Sequence, residues 1–398
     1  MTRNEKFNEF FEQVGGLFLP GVTPIWYKAE YTFYHKHILQ VLDVVFKASL
    51  NKEGAIKPTV AFGFLNSPDL NAYAAKAPDE GNNKVYYIGL NTGCVYLLER
   101  LFYTLLANPK VFSDVGDASK EQMQGGFDEI IFSNVENFTQ NGNSLDYPLP
   151  QDEIRKVAAR LLTLFALVFL SLHELTHILD GHLGLLANQR NIRLIEERRI
   201  SEQQRAEYLF SQTIEFDADS IGGCHTANFA LSLFDTNDAL PKEFHPLLAD
   251  RGILLGFASF AVFSVFRLFS DSDSSDRPLR EALYPSFQCR RKVLNLTMIA
   301  QIVKHMEEGR LNAEEGYHIG SMIAEGATHA EAAFLQITPF DARTEPTITD
   351  QLRSGIIFSS AEDEHMAMLA SNFQKIRPAL EEFAYTTLYK GDMYKGDS

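Results

Sequence analysis

Hydrophobic and polar positions along the chain predict a helical protein with one short stretch of strands. Between residues 56 and 93, short apolar runs alternate with Gly, Asn and Pro, a pattern typical of strands and turns. From residue 152 to 269 the spacing of apolar residues favours helices, and further helices are predicted at 285–306, 313–323 and 362–389. The expected fold is therefore α+β and mainly helical.

These elements divide the chain into three predicted parts. Residues 1–55, which are rich in aromatic side chains, are expected to form a helical segment that covers the core. Residues 56–306 are predicted to be the core itself, with a polar stretch at 108–151 that forms either a lid near the cleft or a plain surface loop. Residues 307–398 are expected to be helical, and no motif indicates their role.

Two apolar runs were compared with the length of a membrane span. Residues 161–172 and 253–266 form runs of twelve and fourteen residues that are mostly apolar and contain no charge. A helix needs about twenty such residues to cross the hydrocarbon core of a bilayer. Both runs are therefore predicted to be buried helices, and no stable membrane span is expected.

Net charge, the N-terminal residues and the cysteines limit which partners the protein can bind and in which cellular compartment it is expected. The formal net charge of −16 argues against general binding of nucleic acid or anionic membranes. The N-terminus lacks the apolar core of a signal peptide, and the three cysteines form no C-x-x-C pair. These features predict a cytoplasmic protein with reduced thiols. No pattern indicates an oligomeric state.

Residues 173–177 read H-E-L-T-H and match the H-E-x-x-H pattern of zinc hydrolases. On a helix, His173 and His177 are separated by about 40° around the axis and about 6 Å along it, so both imidazoles can bind one ion. Zinc takes such neutral nitrogens and lowers the pKa of a bound water to about 7. Glu174 can then accept the proton of that water and pass it to a leaving amine.

The residues around the motif favour a buried helix. The apolar run 161–172 contains no Pro or Gly and leads directly into the motif, and Gly181 stands where a helix C-cap is expected. Two partly buried histidines on a core helix, without metal, are the alternative. The helix that ends just after the second histidine favours the metal site.

The residues after the motif restrict the third ligand. A metzincin would need Gly at position 180 and His at 183, where this chain has Asp180 and Leu183, so that class is excluded. His182 is close in sequence, but nine residues after His173 a continuous helix has turned by about 900°. His182 is therefore expected on the opposite side, where it packs against or caps the helix end.

An acidic pair, Glu215 and Asp219, supplies the remaining candidates. Four residues apart on a predicted helix, the two carboxylates share a face. One can bind metal while the other hydrogen-bonds the outer nitrogen of a ligand histidine, and the small Ala218 between them lets the two helices approach closely. Such a pair is also common on a solvated helix face. Its position after H-E-x-x-H favours metal binding.

The two helices together resemble those of the gluzincin zinc peptidases, because H-E-x-x-H is followed by E-x-x-A-D at residues 215–219. The upstream half is similar to the group that includes the CAAX prenyl proteases and the heat-shock protease HtpX, through N-A-x-A at 71–74 and Thr92-Gly93 at a helix entry. Soluble Lit-type phage-exclusion peptidases contain similar parts. The resemblance covers roughly residues 60–300.

The resemblance implies a zincin-like catalytic core with a small β-hairpin or sheet beside two metal-binding helices. It implies one Zn²⁺ per chain, bound by His173, His177 and Glu215, with Asp219 behind a ligand histidine and Glu174 as general base. The hairpin would supply an edge strand beside the metal, against which an extended protein or peptide substrate lies. The similarity to the Lit-type peptidases also allows a defence role with one dedicated protein target.

A second group that stabilises the oxyanion is also expected. The resembled family uses His-Pro with an arginine six residues after the histidine. Tyr284-Pro285 with Arg290 matches this spacing with tyrosine in place of histidine, and His245-Pro246 with Arg251 keeps the histidine. We favour Tyr284 and Arg290, because they follow the apolar helix in the expected order.

The sequence therefore predicts a cytoplasmic zinc endopeptidase, with two alternatives. A regulatory protein with a non-catalytic zinc site would have no use for Glu174 and would close the site with a fourth ligand. A hydrolase of non-peptide amides would have no use for a strand that pairs with an extended chain.

Overall fold

A computed structural model of the protein describes residues 3–18, 25–52, 57–78, 84–122, 148–190, 192–196, 208–233, 241–269, 285–337 and 360–388. The prediction of a mainly helical α+β fold is confirmed, with one small mixed sheet of four strands. The strands are β1 (Thr59–Leu65), β2 (Ala72–Lys76), β3 (Val85–Asn91) and β4 (Leu194–Glu196). The α-helices are α1 (Arg3–Phe11), α2 (Ile25–Ser49), α3 (Thr92–Leu106), α4 (Glu153–Leu179), α5 (His182–Arg190), α6 (Tyr208–Ser232), α7 (Arg251–Phe269), α8 (Phe287–Glu307), α9 (Ala313–Ile337) and α10 (Ser360–Glu381).

Alternate side chains of a strand point to opposite faces of the sheet. Nearly all residues of β2 and β3 are buried, so the middle of the sheet is covered on both faces. Its strand order is β1-β3-β2-β4, with β1 parallel to β3 and the other two pairings antiparallel. One face packs on the main core, where β2 and β3 contact α4, and the other face is covered by aromatic residues of α1. The sheet thus lies beside the helix that carries H-E-x-x-H.

The expected position of the edge strand was wrong. The N-A-x-A segment forms β2, and β2 lies inside the sheet, paired with β3 on one side and with β4 on the other. The outer position on this side of the sheet belongs to β4, whose Ile195 pairs with Ala74, and β1 is the outer strand on the other side. A three-residue strand after a helix is too short to show an alternating pattern, so the sequence did not predict it.

Helix α4 is the centre of the core. It begins at Asp152, whose carboxylate accepts hydrogen bonds from the backbone N–H groups of Ile154 and Arg155, as an N-cap residue does. Helices α2, α3, α6 and α7 pack around it, and every residue from 161 to 179 is buried. The motif therefore lies on the last turns of a fully enclosed helix.

The apolar run 161–172 is part of a longer helix than the run itself indicates. Helix α4 has 27 residues and a stretch of mean hydropathy 1.7, so by length and composition it could cross a membrane. That stretch is 100% buried inside the structure, and core helices of soluble proteins have the same length and composition. The absence of a membrane span stays a prediction.

The described part of the polar stretch 108–151 is anchored to α4. The buried guanidinium of Arg155 donates hydrogen bonds to five backbone carbonyls, those of Leu106, Asn108, Val111, Phe112 and Val115. Arg155 precedes His173 by eighteen residues, about 27 Å along the helix. This part therefore lies far from the motif, and residues 123–147, to which the predicted lid also extends, are outside the described residues.

The described C-terminal helices pack onto the rest of the core. Helix α9 packs closely on α7, and glycines at the contact make this possible. A Cβ atom added at Gly256 of α7 would lie 2.0 Å from a backbone oxygen of α9, and one added at Gly326 of α9 would lie 1.9 Å from a backbone oxygen of α7. The segment after α10 reaches the end of α4, where the Tyr385 N–H donates to the carbonyl of Leu179 at 2.8 Å. The C-terminal region thus supports the helix that carries the motif.

Candidate metal centre

The centre lies where α4 crosses α6. An added Cβ at Gly222 of α6 would lie only 3.1 Å from the backbone nitrogen of His173, so the two helix backbones are in close contact there. Ala218, which was expected to let the two helices approach closely, is fully buried one turn earlier on α6. Small residues therefore bring the carboxylates of α6 within reach of the histidines of α4.

His173, His177 and Glu215 converge on one point. The Nε2 atoms of the two histidines are 3.1 Å apart, and the Glu215 carboxylate oxygens lie 3.3 Å from His173 Nε2 and 3.5 Å from His177 Nε2. All three side chains are at most 2% exposed. These are the three residues that the sequence analysis named as metal ligands.

The spacing of these atoms fits a single zinc ion. Ligand atoms at about 2.1 Å from a tetrahedral ion are about 3.4 Å from one another. The two Nε2 atoms are 3.1 Å apart, and the Glu215 oxygens Oε2 and Oε1 lie 3.3 Å from His173 Nε2 and 3.5 Å from His177 Nε2, so each separation is close to that value. Burial, together with the nearby charge of His173, lowers the pKa of His177 well below its usual value, which favours the neutral imidazole that zinc requires. The donor set of two imidazole nitrogens and a carboxylate is one of those that zinc uses in open catalytic sites.

Glu174 follows His173 directly on α4 and is completely buried. It does not belong to the group of three side chains whose ligand atoms all lie within 4.8 Å of one another. Glu174 is therefore adjacent in sequence to a residue of the group without being a member of it.

The outer nitrogen of His173 contacts Asp219. Nδ1 of His173 lies 3.0 Å from Asp219 Oδ1, which is the arrangement expected for a carboxylate behind a ligand histidine. Arg290 of α8 in turn donates from Nε to Asp219 Oδ2 at 2.7 Å and from Nη2 to Asp219 Oδ1 at 2.9 Å. The carboxylate is therefore held from two sides, and Glu215 and Asp219 share one helix face as predicted.

Arg290 also reaches the third ligand. Its Nη2 lies 3.4 Å from Glu215 Oε2, and the guanidinium is 2% exposed. This arginine was expected to stabilise an oxyanion. The structure places it against the carboxylates of the centre, where it positions Asp219 and neutralises part of their charge.

The expected position of His182 was wrong. Helix α4 ends at Leu179, and Gly181 adopts a left-handed backbone with φ of 83°, so the chain does not continue the helical rotation. Nδ1 of His182 instead lies 3.0 Å from Nδ1 of His177. His182 is thus in contact with a ligand histidine, although it is not one of the three converging side chains.

Two further carboxyls extend this contact, and sequence reasoning missed both. Asp217 Oδ2 lies 3.2 Å from His182 Nε2, and the Asp217 and Asp180 side chains are hydrogen-bonded to each other. Burial raises the pKa of Asp217 to about 7, and burial together with the charge of Asp217 raises the pKa of Asp180 well above its usual value. Both shifts favour the protonated form of a carboxyl. Burial also lowers the pKa of His182 to about 4, so its ring is neutral near pH 7.

The two candidate oxyanion sites differ in position. Tyr284 lies outside the described residues, but Pro285 and Arg290 follow it at the start of α8, and Arg290 reaches the centre. Near His245, Glu243 contacts Arg160 at 2.6 Å. Arg160 is thirteen residues before His173, about 20 Å along α4. The His245 segment therefore packs far from the metal ligands.

The chain matches no protein family, no curated protein and no solved structure with which it was compared.

Proposed function

We propose that the protein is a zinc-dependent endopeptidase. The observation that carries this proposal is the convergence of His173, His177 and Glu215 at zinc-ligand spacing, with the buried Glu174 next to them and outside the ligand group. Three protein ligands leave one position of a tetrahedral ion open, as catalytic sites require. This arrangement agrees with the resemblance to the gluzincins.

The reaction would use the residues as follows. Zinc bound by the three ligands would lower the pKa of water and polarise the scissile carbonyl. Glu174 accepts a proton from the attacking water while the new C–O bond forms. Glu174 then gives that proton to the nitrogen of the leaving amine as the C–N bond breaks. Asp219 and Arg290 hold His173 and Glu215 in place during these steps.

The composition of the centre favours a catalytic site over a structural one. A structural zinc site is closed by a fourth protein ligand and does not need a base. Among the described residues, the group at ligand spacing contains only three side chains. A regulatory protein with a structural zinc is therefore the weaker alternative.

The sheet favours a peptide substrate over other amides. Helix α4 packs against β2, and β4 extends the sheet beyond β2 with an edge that pairs with no other strand in the described ranges. An extended peptide can add to such an edge through backbone hydrogen bonds. A small amide would gain nothing from it. The substrate class we infer is an extended or unfolded polypeptide.

Metal removal tests the proposed function. We expect the purified protein to cleave a reduced, unfolded protein substrate, to lose this activity on treatment with a zinc chelator, and to regain it when one equivalent of Zn²⁺ is added. Electrophoresis and mass spectrometry of the fragments measure the cleavage. Cleavage that persists in metal-free protein would contradict a metal-dependent mechanism.

Tyr284 has a separate expected effect. If its hydroxyl donates to the oxyanion only in the transition state, Tyr284→Phe should lower kcat by roughly 10²-fold or more with little change in KM or zinc content. Steady-state kinetics on a fluorogenic peptide measure both constants. His245→Ala is the matched control, and it should leave kcat unchanged. A loss of kcat in His245→Ala alone would transfer the role to the earlier segment.

A further inference from the structure

A chain of buried side chains leads away from the metal centre behind His177. Nδ1 of His177 faces Nδ1 of His182 at 3.0 Å, and Nε2 of His182 faces Asp217 Oδ2 at 3.2 Å. The Asp217 carboxyl is hydrogen-bonded to Asp180. His177 and His182 are completely buried, and the two aspartates are nearly so. Of these four residues, only His177 is one of the three side chains whose ligand atoms converge.

Metal binding fixes the direction of these hydrogen bonds. If Nε2 of His177 binds the metal, the proton of that neutral ring must be on Nδ1, which then donates. The acceptor opposite it is His182 Nδ1, so the proton of His182 must be on Nε2. The nearest carboxylate oxygen to that nitrogen is Asp217 Oδ2, at 3.2 Å. Each ring nitrogen that carries a proton then has an acceptor atom within 3.2 Å.

We propose that His182 is the positioning residue of the metal centre, which accepts the Nδ1–H of His177 and, braced by Asp217, holds that ligand ring in the orientation and tautomer that bind metal. The proposal rests on the proposed zinc site and goes beyond it, because it assigns a role to His182, Asp217 and Asp180. A ligand histidine usually donates to a carboxylate, a carbonyl or water. Here a second imidazole stands in that place.

His182 and Asp217 are both buried, and the turn at Gly181 brings the His182 ring to this position. His182 Nε2 and Asp217 Oδ2 lie 3.2 Å apart, and neither of these buried atoms has a well-aligned hydrogen-bond partner among the described residues. Gly181 makes the contact sterically feasible, because its φ of 83° turns the chain back and an added Cβ would lie 2.7 Å from backbone atoms of Leu380 and Ala384. The turn, the ring and the two carboxyls therefore form one unit.

The test compares two substitutions of His182 in the full-length protein. His182→Phe keeps an aromatic ring but removes the acceptor, and we expect it to weaken Zn²⁺ binding about 10- to 100-fold. His182→Gln provides an amide oxygen that can accept from His177 and an amide N–H that can donate to Asp217, and it should restore most of the affinity. Competition with a chromophoric chelator measures both affinities. The melting temperatures of the metal-free proteins show any general loss of stability.

The outcomes separate this inference from the proposed function. A His182→Phe protein that binds Zn²⁺ as tightly as wild type, or a His182→Gln protein that binds as weakly as His182→Phe, would overturn the role of His182 and leave the zinc site standing. A wild-type protein that binds no Zn²⁺ would remove both.

A second measurement covers the case in which His182→Phe does not fold. Two-bond ¹⁵N–¹H spectra of the histidine-labelled, zinc-loaded wild-type protein report the tautomer of each ring. We expect the proton on Nδ1 of His177 and on Nε2 of His182. A proton on Nδ1 of His182 would overturn the proposal.

Discussion

Glu174→Gln should reduce peptide hydrolysis by about 10²- to 10⁴-fold while the protein keeps one zinc per chain. The carboxamide has nearly the shape of the carboxylate, so the buried position beside His173 stays filled. It cannot accept a proton from water at neutral pH, and the reaction loses its general base. Fluorogenic peptide kinetics measure the rate, and elemental analysis measures the zinc.

The matched control is Glu314→Gln, which makes the same change at an exposed position on α9. It should leave both the rate and the zinc content unchanged. If Glu174→Gln lost its zinc instead, Glu174 would be a ligand and the roles of the carboxylates would have to be exchanged. Full activity in Glu174→Gln would contradict the mechanism outright.

Glu215→Ala should release the metal. Loss of one of three protein ligands leaves two imidazoles, and the Arg290 guanidinium would then repel the cation with one carboxylate, Asp219, left to offset its charge instead of two. Zinc at about 1,000 times its Kd stabilises a folded protein by about 4 kcal/mol, and the variant should lose most of that gain. Dialysis with elemental analysis and thermal melting with and without zinc measure the two effects.

His318→Ala, at an exposed histidine on α9, serves as the control and should keep both the zinc and its stabilising effect. The metal-free forms of wild type and Glu215→Ala separate the loss of zinc from the loss of the ion pair with Arg290. A Glu215→Ala protein that retains zinc, together with a His182→Ala protein that loses it at the same zinc concentration, would show that His182 is the third ligand.

Much of the centre was accessible from the sequence because helical geometry is regular. The four-residue spacing of His173 and His177, and of Glu215 and Asp219, puts each pair on one helix face wherever that helix packs. The apolar run before His173 and the glycine after the motif located the helix and its end. Close packing of α4 on α6 then required small residues, and Ala218 was visible in the sequence as one of them.

The remaining features depend on how the chain turns between helices, which local patterns do not determine. His182 was misplaced because the rotation of an unbroken helix was extended across Gly181, where the backbone becomes left-handed. Asp217 faces His182 only because α5 begins at that turn. The short strand β4 is defined by its pairing with β2 and not by its own pattern. A glycine just after a helix commonly adopts a positive φ, so Gly181 was the signal in the sequence that could have corrected the position of His182.

Crystals of the zinc-loaded wild-type protein, measured at the zinc absorption edge, test the central claim most directly. We expect one anomalous peak within about 2.0–2.2 Å of His173 Nε2, His177 Nε2 and a Glu215 oxygen, with no fourth protein ligand. A peak bound by His182, a site closed by a fourth side chain, or no peak between α4 and α6 would contradict a catalytic zinc centre.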